Sequence, residues 1–408
     1  MIPLSFAQRR LWFIHRLEGP SATYNLAAAL RLRGDLDVAV LVAAVRDVVG
    51  RHESLRTVFR EDGDGTPYQH ILRPDEARFD IPLHETAPAE LASALREHAR
   101  YGFDLSHDLP LRATLFRPAP GEHVLLVTLH HIVGDGASMA PLARDISAAY
   151  AARHRGTAPD FVELSAQYAD YTLWQRELLG DHADPGSLAA RQAAYWGEHL
   201  AGLPQPLPLP TDRPRPATAS HHGRTHTFGV DPGLLTAVER LARERGLTVP
   251  MVLQTALTVL LHRLGAGDDI TIGSPIAART EEGLADLVGF FVNMWVLRSD
   301  LGDDPTLGDL LRRTRDASLT AYDHQDLPFE YLVDVLNPAR STAYHPLFQV
   351  MFAWQNTTPP ELELPGLEVT LDPVVTDTAK CDLFFNLAPV AGGGAVGGIE
   401  YATDLFDP

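Results

Sequence analysis

Lysine is almost missing from this chain: Lys380 stands alone among 34 basic Lys and Arg residues. No GxxxxGK[ST] sequence occurs, so a phosphate-cradling loop with its lysine is excluded. Cysteine is equally scarce. With Cys381 alone, neither an intrachain disulfide nor a cysteine-based zinc cluster can form, and a reducing cytoplasm fits. Long apolar runs are absent, so no stretch approaches membrane-spanning length. The opening MIPLSFAQRR has no apolar segment of signal-peptide length and carries Pro and Gln early. The expectation is a soluble, cytoplasmic protein. Positive charge is also in deficit: the formal net charge is −19, which argues against the broad basic face that a nucleic-acid partner needs. What remains is an ordinary globular composition, 45% hydrophobic and 21% charged over 408 residues. That length suits two domains of roughly 150 to 250 residues each.

The pattern along the chain alternates helices and strands. Ser5 heads an amphipathic helix (SFAQRRLWFIHRL), Asn25 to Arg33 reads as a half-buried strand, and Asp37 caps a second helix. RHESLRTVF, from Arg51, leads back into a strand. The apolar run from Val124 to Leu129 reads as a buried strand, followed by a helix from Ser138 to about Arg153. Residues 202–216, with Pro204, Pro206, Pro208, Pro210, Pro214 and Pro216, predict an extended surface connection just past a lobe boundary near 178. Beyond it, Thr248 to Leu264 is helical, Asp269 to Ser274 and Phe290 to Arg298 are strands, and Asp304 to Tyr322 is helical again. Phe348 to Trp354, Cys381 to Leu387 and Ile399 to Thr403 suggest further strands. The fold class is therefore α/β, with one lobe over 1–178 and a second over 179–408, meeting along a cleft where a substrate binds.

The chemistry concentrates in HHIVGDG. A buried strand delivers His130 and His131 to its end, and neighbouring side chains on a strand point to opposite faces. A histidine held there, near a carboxylate, is a candidate general base. Asp135 either turns back beneath His131 or braces the loop. Gly136 permits close backbone approach or a positive φ, and its N–H is a candidate oxyanion donor.

Six further segments accompany this motif in a fixed order: SFAQRRLW at Ser5, RHESLRTVF at Arg51, YADYTLW at Tyr168, VGFFVNMWVLR at Val288, HQDLPFE at His324 and HPLFQVMF at His345. Taken together, the chain resembles the condensation domains of nonribosomal peptide synthetases, which are related in fold to chloramphenicol acetyltransferase. The resemblance implies two chloramphenicol-acetyltransferase-like lobes in a V-shaped arrangement around a central cleft or tunnel. It also implies peptide-bond formation between substrates carried as phosphopantetheine thioesters. The acceptor's α-amine attacks the donor's thioester carbonyl, and the domain needs no cofactor of its own. The implied partners are donor and acceptor peptidyl carrier proteins and adjoining synthetase domains, with neither nucleic acid nor membrane.

By the same resemblance His131 matches the family's catalytic histidine, with His130 an interior residue fixing the loop. Asp135 resembles a brace paired with arginine, for which Arg56 and Arg279 are the two candidates. Asn293 and Gln325, polar groups in apolar motifs, are candidates for the tunnel wall or for hydrogen bonds between elements. Ala137 stands where a bulky aromatic is common, which leaves room beside His131 or lets another side chain fill it, and Met294 and Trp295 replace smaller residues. ATYNLA and DGASMAPL lean towards the subtype joining an L-configured donor to an L-configured acceptor. Trp12, Trp174 and Phe329 read as packing, and His221, His222 and His226 as a polar loop with no metal. Arg9, Arg10 and Arg16, and Arg312, Arg313 and Arg315, are candidate docking patches, though a solvated helix face explains each. Other readings are a silent platform that recruits carriers or tailoring enzymes, an epimerising relative, and an acyltransferase acting on a free amine or alcohol.

Overall fold

The structure is a computed structural model describing residues 1–279, 281–339, 341–355, 361–372 and 374–408. The first elements in chain order are β1 (Ile2–Pro3), α1 (Phe6–Glu18), β2 (Asn25–Gly34), α2 (Val38–Arg51), β3 (Thr57–Glu61), β4 (Pro67–Ile71), β5 (Leu83–Glu85), α3 (Leu91–Ala99), β6 (Leu111–Ala119) and β7 (Glu122–His130). Next come α4 (Met139–His154), α5 (Tyr168–Leu179), α6 (Leu188–His199), β8 (Gly223–Val230), α7 (Pro232–Arg245), α8 (Val249–Arg263) and β9 (Asp269–Ala277). The last are β10 (Val292–Asp300), α9 (Leu307–Asp323), α10 (Phe329–Leu336), β11 (Val350–Trp354), β12 (Leu367–Asp372), β13 (Leu383–Pro389) and β14 (Ala395–Ala402). Among the described residues no helix is long and apolar enough to cross a membrane.

The chain divides into two compact units, though not at one point. The first unit takes Met1–Leu178 together with Arg279–Val292 and the segment that carries β12. The simple cut expected at 178 is therefore corrected: two later pieces belong to the first unit. One of them follows from strand pairing. β12 adds to the edge of a five-stranded sheet in the order β12-β2-β7-β6-β5, and Arg31 of β2 donates to Asp372 Oδ2 at 2.6 Å. The other is drawn in by Asp135, as described below.

Local chemistry explains the first unit's elements. Ser5 closes α1 with a capping box: its hydroxyl accepts from Gln8 N–H, and Gln8 Oε1 accepts from Ser5 N–H. Asp37 accepts from Val40 N–H at the start of α2, whose buried Leu41, Ala44, Val45, Val48 and Val49 follow helical spacing. β7 lies in the interior of its sheet between β2 and β6, which is why its apolar residues run without alternation. Antiparallel pairing with β2 sets Asn25 opposite His130 and fixes where the strand ends.

The second unit is built on a six-stranded sheet in the order β10-β9-β11-β13-β14-β8. α8 begins at Thr248, whose side chain accepts from Met251 N–H, and buries Leu257 and Leu261 against Ile270, Ile272, Val350 and Phe352. The proline-rich segment corrects the surface reading. Leu207 and Leu209 are buried in this same core, and Leu207 N–H donates to the Gln349 side chain at 2.6 Å. Alternating proline suppresses helix and strand, yet the leucines between can still point inward.

Candidate active site

The turn after β7 is two short 3₁₀ segments, His131–Val133 and Gly136–Ser138. Its two histidines hold opposite tautomers, because their partners differ. His130 Nδ1 accepts from Ile132 N–H at 3.1 Å, so in the neutral ring the proton sits on Nε2. Burial, with some repulsion from neighbouring histidines, pushes this imidazole down to about 3, and it stays neutral. His131 Nδ1 lies 2.9 Å from the Gly134 carbonyl, which can only accept. The proton is therefore on Nδ1, and the basic lone pair of the neutral ring is on Nε2. His131 N–H donates to Tyr24 O at 2.8 Å, and its ring packs against Phe290 with centroids 5.1 Å apart. His131 is half-buried, where His130 is buried.

Asp135 is the brace, and Arg279 is its arginine. The carboxylate is 1% exposed. Its Oδ1 accepts from Ser138 N–H at 2.9 Å and from Arg279 Nη2 at 3.0 Å, and its Oδ2 accepts from Phe291 N–H at 3.0 Å. Arg279 also donates to the carbonyls of Leu284 at 2.6 Å and Leu287 at 2.8 Å, with its guanidinium 4.0 Å over the Phe291 ring. This set of bonds gathers Arg279–Val292 into the first unit. Arg56 is excluded as the partner: its guanidinium bonds the Leu72 carbonyl and pairs with Glu53. Arg56 ends the helical turn Glu53–Arg56 that leads into β3, and its reach is used locally.

Gly136 is corrected in one respect. Its φ is not positive, and a Cβ there would meet nothing within 4 Å. Two other glycines beside this turn are the closely packed ones. A Cβ on Gly134 would lie 2.3 Å from Leu129 Cδ2, and one on Gly289 would lie 2.1 Å from the Tyr168 ring. Ala137, half-buried, lies within the same turn.

The remaining candidates belong to the second unit. Asn293 uses both ends of its amide internally: Nδ2 donates to Gln325 O at 2.8 Å and Leu327 O at 2.7 Å, while Oδ1 accepts from Met294 N–H and Phe329 N–H. It fixes the loop that starts α10. Gln325 serves that clip through its backbone carbonyl. Trp295 is buried, edge-on to Tyr322 at 5.8 Å, and Met294 is half-buried.

Of the other groups, Trp12 and Phe329 are buried, whereas Trp174 is 37% exposed. Among the described residues no three His, Cys, Asp or Glu gather to hold a metal, His221, His222 and His226 included. The candidate basic patches are largely paired: Arg16 with Glu61, Arg312 with Asp309, Arg313 with Asp303 and Arg315 with Asp316.

Sequence reasoning missed Ser138, Tyr168 and Gly289. Ser138 Oγ lies 2.8 Å from Asp135 Oδ1 and 2.9 Å from the Gly289 carbonyl, the acceptors for its one proton, and accepts from Arg279 and Gly289 N–H. Tyr168 is fully buried, and burial pushes its phenol well above the usual value, so it keeps its proton and donates to Phe290 O at 2.5 Å. The Ser5 hydroxyl then donates to Tyr168 at 2.8 Å. The only signal in the sequence was polar residues inside apolar motifs.

Comparison with known proteins assigns the family. A sequence model of the Condensation domain matches residues 1–408. The chain belongs to the Condensation domain family. It is 57% identical over its whole length to part of a protein of Salinispora arenicola described as "Probable non-canonical nonribosomal peptide synthetase (NRPS) CymA", and 53% identical over 99% of its length to part of the dimodular nonribosomal peptide synthase of Bacillus subtilis. It spans 5% and 17% of those proteins. Among solved structures it resembles the X-domain from teicoplanin biosynthesis with a TM-score of 0.93 and 36% identity, covering 100% of this chain and 90% of that one. That X-domain has also been solved in complex with OxyB. The α/β architecture expected from the sequence is thus the fold of condensation domains.

Proposed function

We propose that this condensation domain forms a peptide bond between two carrier-bound substrates, with His131 as the proton acceptor. The observation that carries this reading is the tautomer of His131. The Gly134 carbonyl holds the Nδ1 proton, so in the neutral ring Nε2 is the basic nitrogen. An α-amine has a pKa near roughly 8, so an appreciable fraction is already neutral at cellular pH and prior deprotonation is not the main barrier. The useful work lies later. As the amine nitrogen bonds to the thioester carbonyl it becomes cationic, and Nε2 accepts its proton as the tetrahedral intermediate forms. Collapse of that intermediate expels the donor carrier's thiolate and leaves the amide on the acceptor carrier. The open space at the Gly136 Cβ position supports close approach of a substrate to this turn.

The direct test mixes the protein with a loaded donor carrier and a loaded acceptor carrier and weighs the acceptor by intact-protein mass spectrometry. The expected result is a mass gain equal to the donor acyl group, and a rate about 10²–10⁴ lower for His131→Ala. An unchanged rate in that variant overturns the assignment. Replacing the acceptor carrier by a free amine separates carrier-dependent condensation from small-molecule acyl transfer.

A second reading is recruitment of another protein, favoured by the resemblance to the X-domain solved with OxyB. It predicts no mass gain and no effect of His131→Ala on partner binding. The intact HHIVGDG turn, with both tautomers fixed, supports the catalytic reading.

A further inference from the structure

The backbone at Leu287–Phe291 lies just before β10 and has neither helix nor strand hydrogen bonding, yet its polar groups are held by side chains. Leu287 O accepts from Arg279, Val288 O from Ser54 Oγ at 2.7 Å, and Phe290 O from Tyr168. Gly289 N–H donates to Ser138, and Phe291 N–H to Asp135. The peptide after Phe290 is thereby held at both its C=O and its N–H, and Gly289 on the other side is held at its N–H. Two of the pinning residues, Asp135 and Ser138, belong to the same turn as His131. The Phe290 ring, 8% exposed, rests on the His131 imidazole at 5.1 Å, tilted by 56°.

Resting on the reading of His131 as proton acceptor, we propose that Phe290 is a positioning residue that fixes the orientation of the His131 ring for proton transfer. An imidazole rotates about two side-chain bonds. The Gly134 carbonyl restrains the Nδ1 edge of the ring. An aromatic face set against the ring plane opposes rotation about both bonds. The placement of that face comes from the polar hub, not from the rings themselves. Asp135, Ser138 and Tyr168 register the Phe290 backbone against the turn, so both rings ride on one rigid assembly. Glycine at 289 makes the approach feasible, because a Cβ there would strike the Tyr168 ring at 2.1 Å. A plain core-filling role for Phe290 would need neither the pinned backbone on both sides nor contact with the imidazole.

The test compares Phe290→Ala, Phe290→Leu and Phe290→Tyr with the parent and with His131→Ala, in the two-carrier condensation assay and in thermal melting. Phe290→Ala is expected to lower kcat about ten- to a hundredfold, the scale of a misplaced catalytic group. KM for each carrier should stay within about twofold, since a ring 8% exposed offers a carrier almost no contact surface. Phe290→Tyr keeps the aromatic face and should restore kcat to within about threefold of the parent. Phe290→Leu, which refills volume but not the planar face, should recover the melting temperature without recovering kcat. The proposal is overturned if Phe290→Ala keeps the parent's kcat, or if Phe290→Leu recovers kcat and melting temperature together, which marks a packing role. If His131→Ala is as active as the parent, the reading of His131 fails, independently of any change at Phe290.

Discussion

The strongest demand on the structure is that Asp135 and Arg279 hold the histidine turn and the Leu287–Phe291 backbone together. Asp135→Asn is nearly isosteric and removes only charge and one acceptor. With its oxygen in the Oδ1 position the amide keeps Ser138 N–H and Arg279, but its NH₂ then faces the Phe291 N–H, donor against donor. Flipped, the NH₂ faces Arg279 and Ser138 N–H instead. Either orientation leaves a buried donor unsatisfied, at about 1–3 kcal/mol, and strips Arg279 of its counter-ion. Breaking a buried pair from one side costs about 3–5 kcal/mol in all. Arg279→Met leaves the carboxylate, 1% exposed, without its cation, and belongs in the same range. The double variant should lose at least 1 kcal/mol less than the sum, because neither residue is then buried without a partner. Because the chain has two units, a local readout is cleaner than a global transition. Amide exchange at Phe291 should be faster in Asp135→Asn than in the parent by the same free energy. A loss under 1 kcal/mol for Asp135→Asn, or full additivity in the double variant, would refute the brace.

His130 gives a pH dependence with a definite sign. Its folded value of about 3 lies below the ordinary 6.5, so its contribution is complete above 6.5 and is lost as pH falls towards 3, by up to about 1.4 kcal/mol per unit. His130→Asn places an amide oxygen where Nδ1 accepts from Ile132 N–H, and its stability should fall less steeply than the parent's between pH 6.5 and 4; equal slopes would contradict burial as the cause. Gly289→Ala forces a Cβ against the fixed Tyr168 ring and should cost about 1–3 kcal/mol by overpacking, so an unchanged melting temperature counts against the close approach. Ala137→Trp should narrow the range of accepted acceptors with little change in stability; equal turnover across acceptors of different size argues against a substrate-facing side chain there.

Most elements were legible because their signals are local. Ser5 and Asp37 announce helices through caps that depend on three or four residues, and both form as read; Thr248, read only as the first residue of a helix, turns out to cap α8. The apolar run of β7, broken only by Thr128, reported a strand paired on both sides. Misreadings came where tertiary contacts override local pattern. Phe290 and Phe291 look like the start of a strand, but β10 begins at Val292, because Asp135, Ser138 and Tyr168 take the preceding backbone groups that a ladder would use. β12 carries too short and too exposed a pattern to be read from its own residues; it exists because β2 has an edge to offer.

The site divides along the same line. That His131 ends a buried strand was readable, and so was the need of Asp135 for an arginine, since a buried carboxylate requires compensation. Which arginine was not readable, because Arg56 and Arg279 differ in sequence only by their distance from Asp135, and that distance does not decide a tertiary pairing. Arg56 lies nearer in the chain, yet its helical turn aims it at Leu72 and Glu53. Arg279 is 144 residues from Asp135, and it wins by also taking the Leu284 and Leu287 carbonyls, which lets one guanidinium compensate the carboxylate and close its own loop. A choice of this kind turns on where a distant segment must be satisfied, and no spacing rule encodes that. The asymmetry also explains why Asp135 does not touch the histidine ring. Its oxygens are taken by Ser138, Arg279 and Phe291, so the Nδ1 proton of His131 falls to the Gly134 carbonyl, and the charge in this site braces the backbone while a neutral acceptor fixes the tautomer.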